Sequence, residues 1–211
     1  MTMLKAAHAL TRLRDGNQRF ASNRSIATFF SDPARRAELI TGQEPFAVIL
    51  GCSDSRVPAE LIFDQGFGDL FVIRVAGNIV APSQVGSVEF AASLFATRLV
   101  VVLGHTQCGV VIATLEELQG RATNQSQNLR SIVDRVRPPL EKVLASAQED
   151  GSEALLHAAV RANVRASADH LRHGSKLLEQ LIRDDGLAIV GAEYSLETGI
   201  VDFFDGVPDA C

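Results

Sequence analysis

The chain is 211 residues long, enough for one large α/β domain with its own core and too short for a second full domain. Hydrophobic residues make up 46% and charged residues 21%, a composition that excludes a disordered chain. Net charge is −5 and the basic residues are scattered through helical patterns, so nucleic acid is not an expected partner.

Residues 4–23 set Leu4, Ala7, Leu10, Leu13 and Phe20 toward one side, which predicts an amphipathic helix whose stripe packs on its own body or on a partner. The same stretch lacks the unbroken apolar core of a signal peptide or membrane span, so a cytoplasmic protein without a membrane contact is expected. Residues 45–52 (PFAVILGC) form a nearly continuous apolar run, as a strand buried on both faces of a parallel sheet requires. Residues 69–78 (DLFVIRVAGN) and 98–109 (RLVVVLGHTQCG) repeat that pattern, with helix-like segments at 84–96 and 109–119.

Residues 120–128 read as a loop, and Pro138 with Pro139 predicts the start or a kink of a helix around 140–148. One long apolar-periodic helix is expected from 153 to about 184, then a strand at 187–194, a turn at Glu197, Thr198 and Gly199, and a short returning strand. The predicted architecture is α/β: an open, mainly parallel sheet flanked by helices, in one domain over 1–211 with an N-terminal helical arm over 1–30.

The chain has three cysteines, an odd number, which in a reducing compartment points to metal or redox chemistry before disulfides. Cys52 closes one buried run, and His105 and Cys108 close another, so two strand ends can deliver two thiolates and an imidazole to one point. That donor set suits Zn2+ and leaves a fourth tetrahedral position open, the pattern of catalytic zinc. Asp54 and Arg56 follow Cys52 at two and four residues, where a carboxylate beside a guanidinium stays ionised and can accept a hydrogen bond. The structural alternative for that pair is a helix-capping ion pair ahead of Pro58 and Ala59.

The motifs CSDSRVPAE, RVAGN and GHTQCG, with LRDGNQRF near the start, closely resemble the β-carbonic anhydrase family across most of the chain. The resemblance implies reversible hydration of carbon dioxide to bicarbonate and a proton, by a zinc-activated hydroxide oriented by an Asp54/Arg56 dyad. Cys52, His105 and Cys108 would be the zinc ligands, and the chain a homodimer or homotetramer whose N-terminal helix embraces a neighbour. Gln43, nine residues before Cys52, would hydrogen-bond bicarbonate in the adjacent subunit's site. Phe71 and Phe90 would wall the substrate pocket together with Gly109, ordinary core packing being the other reading of both Phe residues. Some bacterial relatives carry a regulatory bicarbonate site built on a Trp, an Arg and a Tyr. Arg74 and Tyr194 occupy two of those places here, but Ile49 stands at the Trp position, so the site is not expected in its usual form.

His170 and His173 read as solvated helix surface, and His8, His157 and Cys211 are given no catalytic role, since no Cys or carboxylate constellation surrounds them in the sequence. Three other functions fit part of the pattern. The same zinc site could serve carbonyl sulfide or carbon disulfide, or a zinc protein without turnover. Cys52 as nucleophile with His105 as base would leave Cys108 without a purpose.

Overall fold

A computed structural model describes residues 4–26, 33–121, 126–146 and 153–208. The outer part of the expected arm, the middle of the expected loop at 120–128, the last residues of the helix expected at 140–148, and Cys211 lie outside that range.

Among the described residues, five strands form one sheet in the order β2-β1-β3-β4-β5. These are β1 (Ala47–Gly51), β2 (Leu70–Arg74), β3 (Leu99–His105), β4 (Ala188–Tyr194) and β5 (Val201–Asp205). The first four run parallel and β5 returns antiparallel to β4. β1 and β3 are buried along their whole length, which is why their sequences are continuous apolar runs and not alternating ones.

Helices cover both faces. On one, α1 (Ala6–Ala21) and α3 (Ala59–Ile62) enclose a core with Leu10, Leu13, Ile49, Phe63 and Val101. The stripe of α1 therefore lies on its own chain, and Asn17 fixes the helix there by donating to the Ile62 and Gly199 carbonyls and accepting from the Val201 amide. A six-residue helix, α2 (Pro33–Glu38), precedes β1. On the other face lie α4 (Pro82–Leu94), α5 (Gly109–Leu118), α6 (Gln127–Ser146), α7 (Glu153–His173) and α8 (Lys176–Asp184). Val164 of α7 packs so close to β3 that a Cβ on Gly104 would come within 2.5 Å of it, so this crossing needs glycine.

Three elements differ from the sequence reading. Strand β2 stops at Arg74, and residues 76–78 turn sharply with Gly77 at φ 71° and Asn78 at φ 44°. Helix α6 begins well before the prolines and carries both inside it. Val133, Val136 and Leu140 bury its apolar face, while Asp134 and Arg135, whose carbonyls lose their helical donors, are exposed where water can reach. The long helix expected over 153–184 breaks at Gly174, after which the Ser175 hydroxyl caps α8 by accepting the Leu178 amide.

Candidate metal centre and active site

The chain leaves β1 in one direction to reach β2 and comes back on the other side as β3, so the sheet's topology reverses between β1 and β3. Ligands collect beyond the carboxyl ends of strands at such a reversal. Cys52 directly follows β1, and His105 is the last residue of β3. A tight turn through Gln107, at φ 55°, then brings Cys108 back as the first residue ahead of α5.

The donor atoms of Cys52, His105 and Cys108 all lie within 4.8 Å of one another, and all three residues are buried. His105 Nδ1 sits 2.9 Å from the Thr106 carbonyl, so the proton belongs on Nδ1, where it can be donated. That leaves Nε2 as a bare lone pair, buried and without a hydrogen-bond partner. The Cys52 sulfur accepts the Gly77 amide at 3.3 Å. A hydrogen bond with Cys108 holds the Cys52 thiol down at about 4, against the opposing effect of burial, and the same pairing with burial pushes the Cys108 thiol up. Two soft sulfurs and a free imidazole nitrogen are donors that could hold a metal ion.

Asp54 Oδ2 lies 3.8 Å from His105 Nε2. Arg56 grips this carboxylate at both oxygens, donating from Nε to Oδ1 at 2.9 Å and from Nη2 to Oδ2 at 2.7 Å, while its own amide also donates to Oδ1. This bidentate hold keeps the Asp54 carboxyl well below the usual carboxylate range and raises the Arg56 guanidinium. Arg56 is anchored in turn by the Gln107 carbonyl.

Residues 47–201 match the carbonic anhydrase family. The chain is 38% identical over 187 residues to carbonic anhydrase 2 of Mycobacterium tuberculosis, covering 89% of this chain and 87% of that one. The chain belongs to the β-carbonic anhydrase family. The fold of the β-carbonic anhydrase CafA of Aspergillus fumigatus superposes with a TM-score of 0.74 at 24% identity, covering 96% and 92% of the two chains. One of two tetrameric β-carbonic anhydrases of Sordaria macrospora gives 0.71 at 22%, covering 93% and 97%. As a β-carbonic anhydrase, the chain is a lyase that hydrates carbon dioxide.

The remaining residues singled out in the sequence fall in different places. Gly109 opens α5 beside Cys108 and is exposed. Gln43 is exposed ahead of the amino end of β1, the opposite end of that strand from Cys52. Phe71, in register with Val48 partway down β2, gathers with Phe90 and Phe95 in an aromatic group with centroids 5.7–6.2 Å apart, on the side of α4. Ile49 is sealed in the core, and the Arg74 guanidinium is committed to the Cys52 and Asp54 carbonyls at 3.1 and 2.6 Å. Tyr194 packs against Phe20.

His8, His170 and His173 are exposed, and among the described residues Cys52, His105 and Cys108 are the one cluster of metal-binding geometry. His157 requires a correction: its Nε2 lies 3.0 Å from Glu193 and close to Arg161. Glu193 arrives from β4, far along the chain, so no local spacing could reveal it. Sequence reasoning also missed Gly77 and the clamp by Arg74. The motif RVAGN that carries both was readable, but its glycine was assigned to a strand.

Proposed function

We propose that this lyase is zinc-dependent, interconverts carbon dioxide and water with bicarbonate and a proton, and works as a self-associated cytoplasmic enzyme in which Asp54 and Arg56 act as a dyad. The observation that carries the reading is the convergence of Cys52, His105 and Cys108 within 4.8 Å, with His105 Nε2 bare and Asp54 3.8 Å from it. When bound, zinc supplies a water acidified enough to serve as hydroxide near neutral pH.

The chain's own residues then orient the reaction. Asp54, fixed as a carboxylate by Arg56, can only accept hydrogen bonds, so it takes the O–H of the attacking oxygen and turns its lone pair toward carbon dioxide. By holding both Asp54 oxygens, Arg56 would also restrain that carboxylate from becoming a further ligand to a zinc held by Cys52, His105 and Cys108. The first-turn amides of α5 at Val110 and Val111 bond the Cys108 sulfur and favour its thiolate form. Cys52 and Cys108 as thiolates would give a zinc held here more charge than imidazoles would and make it a weaker acid, so turnover is expected to rise toward the alkaline side.

Self-association is supported by the tetrameric Sordaria relatives and by Gln43 and the Phe71/Phe90 group, which sit away from their own chain's donor atoms and would meet substrate only across a subunit boundary. Among the described residues no helix is long and apolar enough to cross a membrane, and Cys52 and Cys108 are free thiols, as a reducing cytoplasm requires.

Stopped-flow hydration of carbon dioxide at about pH 7 and about pH 8.5, with zinc assayed on the same sample, tests the reading. One zinc per chain and turnover at both values, higher at the alkaline one, is the expected result. Zinc without turnover at either pH would defeat it.

A further inference from the structure

The turn at residues 76–78 is an unfavourable piece of backbone in a place that matters. Gly77 and Asn78 are consecutive residues at positive φ, 71° and 44°, and the second of these is strained for a residue with a side chain. Such a turn persists only where its surroundings hold it. The Gly77 amide is one of the groups that meet the Cys52 sulfur, at 3.3 Å, the Asp54 backbone being another. What holds the turn comes from far along the chain. Asn163 Nδ2 donates to the Gly77 carbonyl at 2.8 Å and Ser167 Oγ donates to the Asn78 carbonyl at 3.0 Å. These two residues are one helical turn apart in α7, on a buried face otherwise made of Ala159, Val160, Val164, Ala168 and Leu171. Two polar side chains on an apolar face both serve the same three-residue turn.

We infer that Asn163, seconded by Ser167, is a positioning residue for the metal centre: by clamping the 76–78 turn it aims the Gly77 amide at the Cys52 sulfur and so sets the charge which that sulfur gives to the metal. The inference rests on the zinc reading of Cys52, His105 and Cys108. The clamp acts by position and not by polarisation along one peptide, because the Gly77 carbonyl and amide belong to different peptide groups. An amide hydrogen bond draws electron density off a thiolate, and partners one layer beyond the ligands commonly tune metal affinity in this way. A bland role, satisfying buried carbonyls, predicts a stability loss and nothing at the metal.

The test uses the full-length protein loaded with cobalt in place of zinc, comparing wild type with Asn163→Ala, Ser167→Ala and Val164→Ala. Val164 shares the buried face of α7 but makes no bond to the turn, so its variant reports lost packing alone. Asn163→Ala is expected to move the thiolate-to-cobalt charge-transfer band to lower energy and to weaken zinc binding in chelator competition by about 10-fold or more. Ser167→Ala is expected to shift the band in the same direction by less, and Val164→Ala to lose stability with the band unmoved. A folded, fully loaded Asn163→Ala with the wild-type band, or an equal shift in Val164→Ala, would overturn the inference. Should Asn163→Ala not fold, cadmium-113-loaded wild type decides: a correlation between the Gly77 amide proton and cadmium is expected, and its absence overturns the proposal. Wild type that takes up no cobalt or cadmium would instead remove the zinc reading itself.

Discussion

Asp54 and Arg56 lie two residues apart, and the guanidinium spends two hydrogen bonds on the carboxylate and one on the Gln107 carbonyl. In the proposed mechanism Arg56 never meets substrate and acts through Asp54, and this has a measurable consequence. Asp54→Ala is expected to keep one zinc per chain while turnover falls on the order of 10²-fold or more, as loss of an orienting group does. Arg56→Ala is also expected to keep zinc and lose turnover, because an unrestrained Asp54 can reach the open position. The double variant Asp54→Ala/Arg56→Ala should then be no slower than Asp54→Ala alone. Stopped-flow hydration rates of the four proteins, each with its zinc content, check this. Independent multiplication of the two losses would show that Arg56 has a separate role.

At the scale of elements, α7 does more than its sequence discloses. It crosses β3 at Gly104, clamps the 76–78 turn, and is tied to the sheet where Arg161 bonds both the buried Glu193 of β4 and Asp202 of β5. Glu193 is 4% exposed and depends on Arg161 for its closest bond, at 2.8 Å. Arg161→Met leaves that carboxylate with only the half-exposed His157, and should cost about 3 kcal/mol, the low end of the range for breaking a buried pair because Arg161 itself is partly solvated. Adding Glu193→Gln should recover most of the loss, in urea midpoints taken at one protein concentration. The strands were legible because burial on both faces writes an unbroken apolar run, and the convergence of Cys52, His105 and Cys108 was legible because they sit at the ends of those runs. The α7–α8 break was also written, as Gly174 followed by a capping Ser175, but an apolar period that continues through both helices masked it. Pairings such as Glu193 with His157, or Asn163 with Gly77, join residues 36 and 86 positions apart and have no signature in local spacing.

The whole molecule raises a question of assembly. Each chain carries Cys52, His105 and Cys108 at the carboxyl ends of β1 and β3, whereas Gln43 precedes the amino end of β1, separated from Cys52 by a five-residue strand. Such a strand spans about 16 Å, too far for one side chain to bridge. If Gln43 binds bicarbonate, it does so in another copy's site, and two individually defective chains should repair each other. Gln43→Ala keeps its own metal ligands but offers its partner no glutamine, while Cys52→Ser loses its metal but still offers Gln43. Random pairing of equal amounts makes half the dimers mixed, and each mixed dimer has one complete site, so about a quarter of wild-type activity per chain is expected from co-expressed protein. The measurement is the hydration rate of the mixture against each variant purified alone, with the mass in solution read by light scattering. A mixture no faster than the average of its parts, in protein shown to be oligomeric, would mean that Gln43 contributes nothing across the interface and that the substrate is held by groups of a single chain.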